Sequence, residues 1–295
     1  MEGEEQFSPY NPPLRLLASE LAAAGRSMVL QPGGGDNETS ATLVDISQDS
    51  TSISTFTFKL SRPADVPVAG YAIFDFSTVI ERQYQHMNQS SPRRVNDDLV
   101  RTWTVTWMSA DRTQLSVTVK RQKGGLISSL LHAMQDEFRG AKLEIRLLGF
   151  GHGGLSCYPD DGSLPPQLWL AAGVGITPFL ALYRHLASHP ERAFNATLLF
   201  SCRGDEVKLA TELAADPRVK VIAFDSTATP GTAAGTGVAI EPRRLSAADV
   251  EQAAAGVHHA WALLCGPTSY QTSAREWLQQ AGLPAVRIRA ESFDF

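Results

Sequence analysis

The sequence predicts an all-β antiparallel barrel followed by an α/β domain built on a parallel sheet, and three observations carry that expectation. Residues 41 to about 150 hold six short runs rich in Val, Ile, Thr and aromatic residues, with partial alternation. After Pro165-Pro166 the period changes, and short apolar runs alternate with helical patterns, which calls for parallel strands joined by crossovers. The chain has 295 residues, room for two domains of roughly 150 residues each, both large enough to bury a core.

Residues 1–40 stand apart from both. Leu14–Ala23 has helical spacing behind Pro12-Pro13, and Gln31–Asn37 is a glycine-rich connector. The barrel domain is expected over 41–160. Its strands are 41–47, 51–61, 69–77, 101–109, 114–121 and 141–149, with one helix after Gly124-Gly125. The α/β domain is expected over 161–295. There the strand 168–173 leads into a helix over 177–189, the strand 196–203 into a helix over 207–215, and 219–226 forms a third strand. A fourth strand over 259–267 precedes a helix closed by Gly282, and 285–293 forms the last strand. The Thr/Ala/Gly-rich stretch 226–237 reads as a loop inside this domain.

Composition removes several function classes. Apolar residues make up 43% and charged residues 19%, which excludes global disorder. The net charge is −5 with no long basic run, so nucleic acid is not an expected partner. No apolar run approaches the roughly 20 residues of a membrane helix, and the acidic start Met-Glu-Gly-Glu-Glu lacks the basic character of a secretory signal. Cys157, Cys202 and Cys265 form neither a CxxC pair nor a disulfide framework, and His258-His259 has no metal-ligand spacing. A reduced, cytoplasmic protein without a metal follows as the expectation.

Two glycine clusters compete for a nucleotide. Gly149-Phe-Gly-His-Gly-Gly154 matches GxGxxG, but a dinucleotide fingerprint must open a helix, and here prolines and turn residues follow. It reads as a glycine-rich domain crossover. Gly173-Val-Gly175-Ile-Thr177-Pro178 follows the strand LWLAA and leads directly into FLALYRHL. Glycines there let a pyrophosphate approach the backbone, and the helix start offers unpaired N–H groups and a positive dipole end.

Further segments fall in a recognisable order. Arg101-Thr102-Trp103-Thr104 resembles the RxY[ST] flavin motif of the ferredoxin–NADP reductase superfamily, with Trp103 where that family usually has Tyr. Gly124-Gly125-Leu126-Ile127-Ser128 resembles its flavin-diphosphate segment, and Gly173–Pro178 its GxGxTP loop. Cys265-Gly266-Pro267 resembles its CGP motif, and Glu291-Ser-Phe293 its C-terminal ExF. The resemblance spans roughly residues 41–295 and implies a flavin-binding barrel followed by a nucleotide-binding α/β domain.

The residue chemistry agrees with what the resemblance implies. Trp103 can supply an aromatic wall for a flavin, and Arg101 on the same strand face can fork onto phosphate oxygens. Alternation turns Thr104 to the other side of the strand, and in the family the corresponding hydroxyl reaches the flavin. Ser128 and the helix start beside it form a second phosphate site, which favours FAD over FMN. Cys265 is expected at the sheet's carboxyl edge beside the nicotinamide. Ser201 and Arg203 follow the strand ATLLF, where the ribose 2′ position is read. Arg203 and Lys208 favour NADPH over NADH, while Asp205 and Glu206 partly cancel that charge. The implied activity is that of an NAD(P)H-dependent FAD flavoprotein reductase. It takes hydride from the nicotinamide onto flavin, with Cys265 and Thr104 as catalytic residues. With no cluster, haem or flavodoxin-like segment in the core, the acceptor is expected to be separate, a protein or a small molecule. The alternative is a flavin-binding electron-relay or regulatory subunit without NAD(P)H turnover of its own.

Overall fold

The computed structural model describes residues 39–80, 98–136, 142–155, 165–189, 193–229, 237–255 and 259–292. The helix expected over 14–23, the boundary at 160/161, Cys157 and Phe293 lie outside them.

Six antiparallel strands close the first body: β1 (Thr39–Gln48), β2 (Ile53–Leu60), β3 (Tyr71–Asp75), β4 (Val100–Met108), β5 (Gln114–Lys120) and β6 (Glu144–Gly151). Their order around the barrel is β1-β2-β5-β4-β3-β6. Alternation along each strand sends Phe56, Phe58, Phe74, Trp103, Val105, Leu115 and Val117 into one core. Helix α1 (Leu126–Asp136) adds Ile127, Leu130, Leu131 and Met134 to it. The opposite face of β2, β4 and β5 carries hydroxyls, which pair across the strands. Thr55 meets Thr118 at 2.8 Å and Thr57 meets Ser116 at 2.9 Å. A polar outer wall of this kind can lie against a second domain without leaving buried groups unpaired.

The second body is a parallel sheet. Its strands are β7 (Gln167–Ala172), β8 (Ala196–Cys202), β9 (Val219–Asp225), β10 (Ala239–Glu241), β11 (Trp261–Gly266) and β12 (Ile288–Ser292). They lie in the order β10-β9-β8-β7-β11-β12. The helices are α2 (Thr177–Ala187), the single turn α3 (Thr211–Ala214), α4 (Ala247–Ala254) and α5 (Thr268–Gln280). Both faces of the sheet are covered, which is why its strands read as unbroken apolar runs. Trp169, Phe200 and Leu263 pack with α2 on one side; Leu168, Leu199 and Leu264 pack with α4 and α5 on the other.

The structure departs from the sequence reading at four places here, one of them the start of the last strand, where Ala285–Arg287 is a 3₁₀ turn and β12 begins only at Ile288. The segment expected as a helix over 207–215 is mostly a 3₁₀ stretch, Gly204–Ala210, before α3. Its entry is pinned by Glu206 accepting from Arg203 N and Asp225 from Gly204 N (3.2 and 2.8 Å), which holds the tighter winding. Strand β10 and helix α4 were not foreseen. Helix α4 begins at a capping box in which Asp249 accepts from Ser246 N (2.9 Å) and Ser246 Oγ (2.6 Å).

Among the described residues, several polar contacts tie barrel to sheet. Arg184 of α2 donates to the Thr106 carbonyl at 2.9 Å while holding Glu212. Asp205 accepts from Thr51 N and Oγ1 at 2.7 and 2.8 Å. Lys120, at the end of β5, is 2.7 Å from Glu206 Oε1.

Candidate active site at the seam of barrel and sheet

From β7 the sheet grows one way through β8 to β10, and the other way through β11 and β12. The reversal between β7 and β11 leaves a crevice at the carboxyl ends of the strands, the place where open α/β sheets take ligands. A cavity of about 910 Å³ occupies it, lined among others by Gly173, Gly175, Ser201, Arg203, Gly266 and Pro267. Gly175 is required by close approach. A Cβ there would stand 2.6 Å from the Cys265 carbonyl oxygen and 2.8 Å from Gly266 Cα, so two glycine segments distant in sequence fit together only without side chains. Thr177 and Pro178 are buried at the start of α2 and seat that helix.

At the far end of the cavity the wall is basic. Arg203 and Arg244 both line it, and both are exposed to it; among the described residues neither guanidinium meets a carboxylate. Asp205 and Glu206, the acidic neighbours, are engaged by Thr51 and Lys120. Lys208 is exposed but is not part of the lining. Ser201 lies at the end of β8 and bonds the Tyr270 hydroxyl. Burial pushes both that phenol and the Cys202 thiol upward, the thiol to about 12.

The other end of the site is the seam itself. Thr104 is buried on the outer side of β4, and Glu291 of β12 is buried opposite it. Thr104 Oγ1 and Glu291 Oε2 are both enclosed without a hydrogen bond of good geometry, although the hydroxyl lies near enough to the carboxyl to act on its charge. Burial raises the Glu291 carboxyl to about 7, against the Leu155 backbone N–H and the nearby Thr104 hydroxyl, which favour its charged form. Cys265 is the register partner of Glu291 and is fully buried. Burial first, then the Glu291 charge, holds its thiol well above the ordinary value, so it is a neutral neighbour and not a thiolate. The glycine-rich crossover makes this approach possible. A Cβ on Gly153 would collide with the Glu291 carboxylate and stand 2.5 Å from the Ala69 carbonyl.

The remaining residues gather at one end of the barrel. The pairing Val105↔Val117 puts the start of β4 and the end of β5, which leads into the Gly124–Ser128 turn, toward the same end of the barrel. Arg101 donates to the Val100 carbonyl at 2.8 Å and lies 3.7 Å from Asp98. Ser128 Oγ accepts from Gln122 N at 3.1 Å and so closes the turn. Leu126 and Ile127 pack onto the barrel core; Thr102 is exposed.

Trp103 corrects the sequence reading. Its ring points into the barrel, 5.5 Å from the Phe74 ring and 5.8 Å from Phe76, and is only 9% exposed. Strand parity gives an indole the inner, apolar face, where it buries most area. It therefore presents no free face as a wall, and what β4 turns toward the second domain is Thr104. The residues that sequence reasoning missed are Arg244, Lys120 and Gly153. Arg244 arrives through the unforeseen β10 and α4, while Lys120 has a legible signal, a cation ending a strand on its polar face.

No protein-family model matches the chain. A flavohemoprotein of Deinococcus radiodurans is 28% identical over 184 residues, which is 60% of this chain and 42% of that protein; the chain thus spans less than half of that relative. Flavohemoglobin from Malassezia yamatoensis, solved with bound FAD and heme, matches with a TM-score of 0.65 at 19% identity, covering 87% of this chain and 60% of that one. The cytochrome b5 reductase domain of Ulva prolifera nitrate reductase matches at 0.66 and 18% identity, covering 88% of this chain and 98% of that domain.

Proposed function

From the two-domain fold of the ferredoxin–NADP reductase superfamily, which this chain has, we infer an NAD(P)H-dependent FAD flavoprotein reductase that passes electrons to a separate acceptor. The observation that carries the reading is the buried pair Thr104 Oγ1 and Glu291 Oε2, which face each other at the seam without a well-formed hydrogen bond, one strand register from Gly266. Buried polar atoms that lack a well-formed hydrogen bond are rare, and a ligand at the seam is one explanation of them. A flavin edge, with its ring nitrogens and carbonyls, fits that need. When bound, FAD supplies a carrier that takes a hydride from a nicotinamide and releases the electrons onward.

The chain's own residues do the placing. Arg101 and the first turn of α1 offer cationic and N–H donors to a diphosphate. Gly173, Gly175, Gly266 and Pro267 shape the floor on which the nicotinamide end rests, and the packed seam excludes water. The Thr104 hydroxyl donates toward the seam. Glu291 holds a proton on its carboxyl oxygen near neutral pH and can yield or take it there. Cys265, buried beside Glu291 on the neighbouring strand, packs the seam. The Malassezia protein binds heme as well as FAD, which supports an acceptor of haem type on another domain or chain.

Two outcomes test this. Flavin released by denaturation is expected to run as FAD on chromatography, and Arg101→Ala to retain far less of it than Arg275→Ala on α5; FMN alone would remove the diphosphate assignment. Arg203→Ala and Arg244→Ala are each expected to lower the preference for NADPH over NADH by about tenfold, read as the ratio of kcat/KM values. An unchanged ratio would take both residues out of the 2′-phosphate site.

A further inference from the structure

Lys120 ends β5 on the barrel's outward face and reaches into the second domain. Its ammonium is 2.7 Å from Glu206 Oε1 and 3.7 Å from the place a Cβ on Gly173 would occupy. Both Lys120 and Glu206 line the nucleotide cavity. Glu206 is 5% exposed, and its second oxygen accepts from Arg203 N at 3.2 Å. A lysine poised over a glycine turn that opens a helix is where a phosphate belongs, yet here a buried carboxylate from the cavity wall already neutralises it.

We propose that Glu206 is an internal counter-ion that stands in for nucleotide phosphate on Lys120 and competes with it, so that binding a dinucleotide breaks a link between the two domains. The proposal rests on the reading of the cavity as an NAD(P)H site. Each Glu206 oxygen accepts one hydrogen bond, from Lys120 and from Arg203 N, so this carboxylate is held at the interdomain link while each oxygen keeps a further acceptor site. Phosphate must displace it from Lys120 and then lie near an unpaired buried charge, which lowers affinity. The competition is blind to the 2′ position, because the phosphate bridge is common to both nucleotides.

Titration calorimetry of the FAD-loaded protein with NADP⁺ and with NAD⁺ tests it. Glu206→Gln keeps an acceptor for Arg203 N and removes the competitor, so it is expected to tighten both nucleotides by about five- to tenfold at an unchanged ratio. Lys120→Met is expected to weaken both by about tenfold, and adding Glu206→Gln to it to give a clearly smaller gain than Glu206→Gln gives alone. Asp205→Asn removes the same charge from a neighbouring interdomain link outside the cavity, and is expected to leave both affinities within about twofold. A Glu206→Gln effect on the ratio alone, no effect, or an equal effect from Asp205→Asn would overturn the competition while leaving the NAD(P)H reading intact. A wild-type protein that binds neither nucleotide would overturn both.

Discussion

Glu291→Gln is expected to slow reduction of the bound flavin by NADPH by about tenfold to a hundredfold, about 1.4–2.7 kcal/mol of barrier, while FAD stays bound. The substitution keeps the volume and an acceptor for the Leu155 N–H but takes away the proton that Glu291 holds opposite Thr104. It also carries a stability signature with a definite sign. Burial raises the Glu291 carboxyl from 4.5 to about 7, so between those pH values the folded chain keeps a proton that the unfolded chain releases. Wild-type stability therefore contains a contribution that is present at low pH and is lost as pH rises toward about 7. The Gln variant lacks that slope, and its melting temperature relative to wild type is expected to be higher at pH 8 than at pH 5. Stopped-flow reduction and pH-dependent melting check the two halves separately. Parallel melting curves at both pH values would mean that Glu291 is ionised in the fold. Cys265→Ala is expected to have the smaller kinetic effect, since its thiol is fully buried and outside the cavity lining.

The second large effect is expected at Gly175. Alanine there places a methyl 2.6 Å from the Cys265 carbonyl oxygen, 2.7 Å from its carbon and 2.8 Å from Gly266 Cα. All three are backbone atoms in an interior strand of a packed sheet, so no rotamer change relieves the clash, and β11 and the turn must part. A separation of this kind costs roughly 1–3 kcal/mol of stability and spoils the floor of the cavity. Nucleotide affinity is expected to fall by at least about tenfold in a variant that still folds and retains FAD. Calorimetry and the flavin content of the same preparation measure both. Wild-type affinity in Gly175→Ala would show that the two glycine segments do not bound the nucleotide.

Much of this architecture is legible in the residues because burial leaves different marks on the two bodies. One-sided barrel strands alternate, and Phe56, Thr57 and Phe58 display it. Two-sided parallel strands do not, and Leu168–Ala171 is apolar throughout. Helix α4 is hidden because only Val250 and Ala254 of AADVEQAA are buried, too few for a helical period; its capping box was the available signal. The winding of 204–210 was hidden because tertiary hydrogen bonds at Glu206 and Asp225, not propensity, set it. At the site, strand parity separates Thr104 from Trp103 but does not say which side faces a ligand. The meeting of Gly153 with Glu291 joins segments far apart in the chain, and nothing local announces it.

Anaerobic mixing of the FAD-loaded protein with excess NADPH, followed by visible absorbance, tests the central claim most directly. The flavin absorbance is expected to bleach in a single turnover with NADPH, and more weakly or slowly with NADH. A yellow protein that keeps its full flavin absorbance under saturating amounts of both nucleotides would contradict the assignment of this chain as an NAD(P)H-dependent flavin reductase.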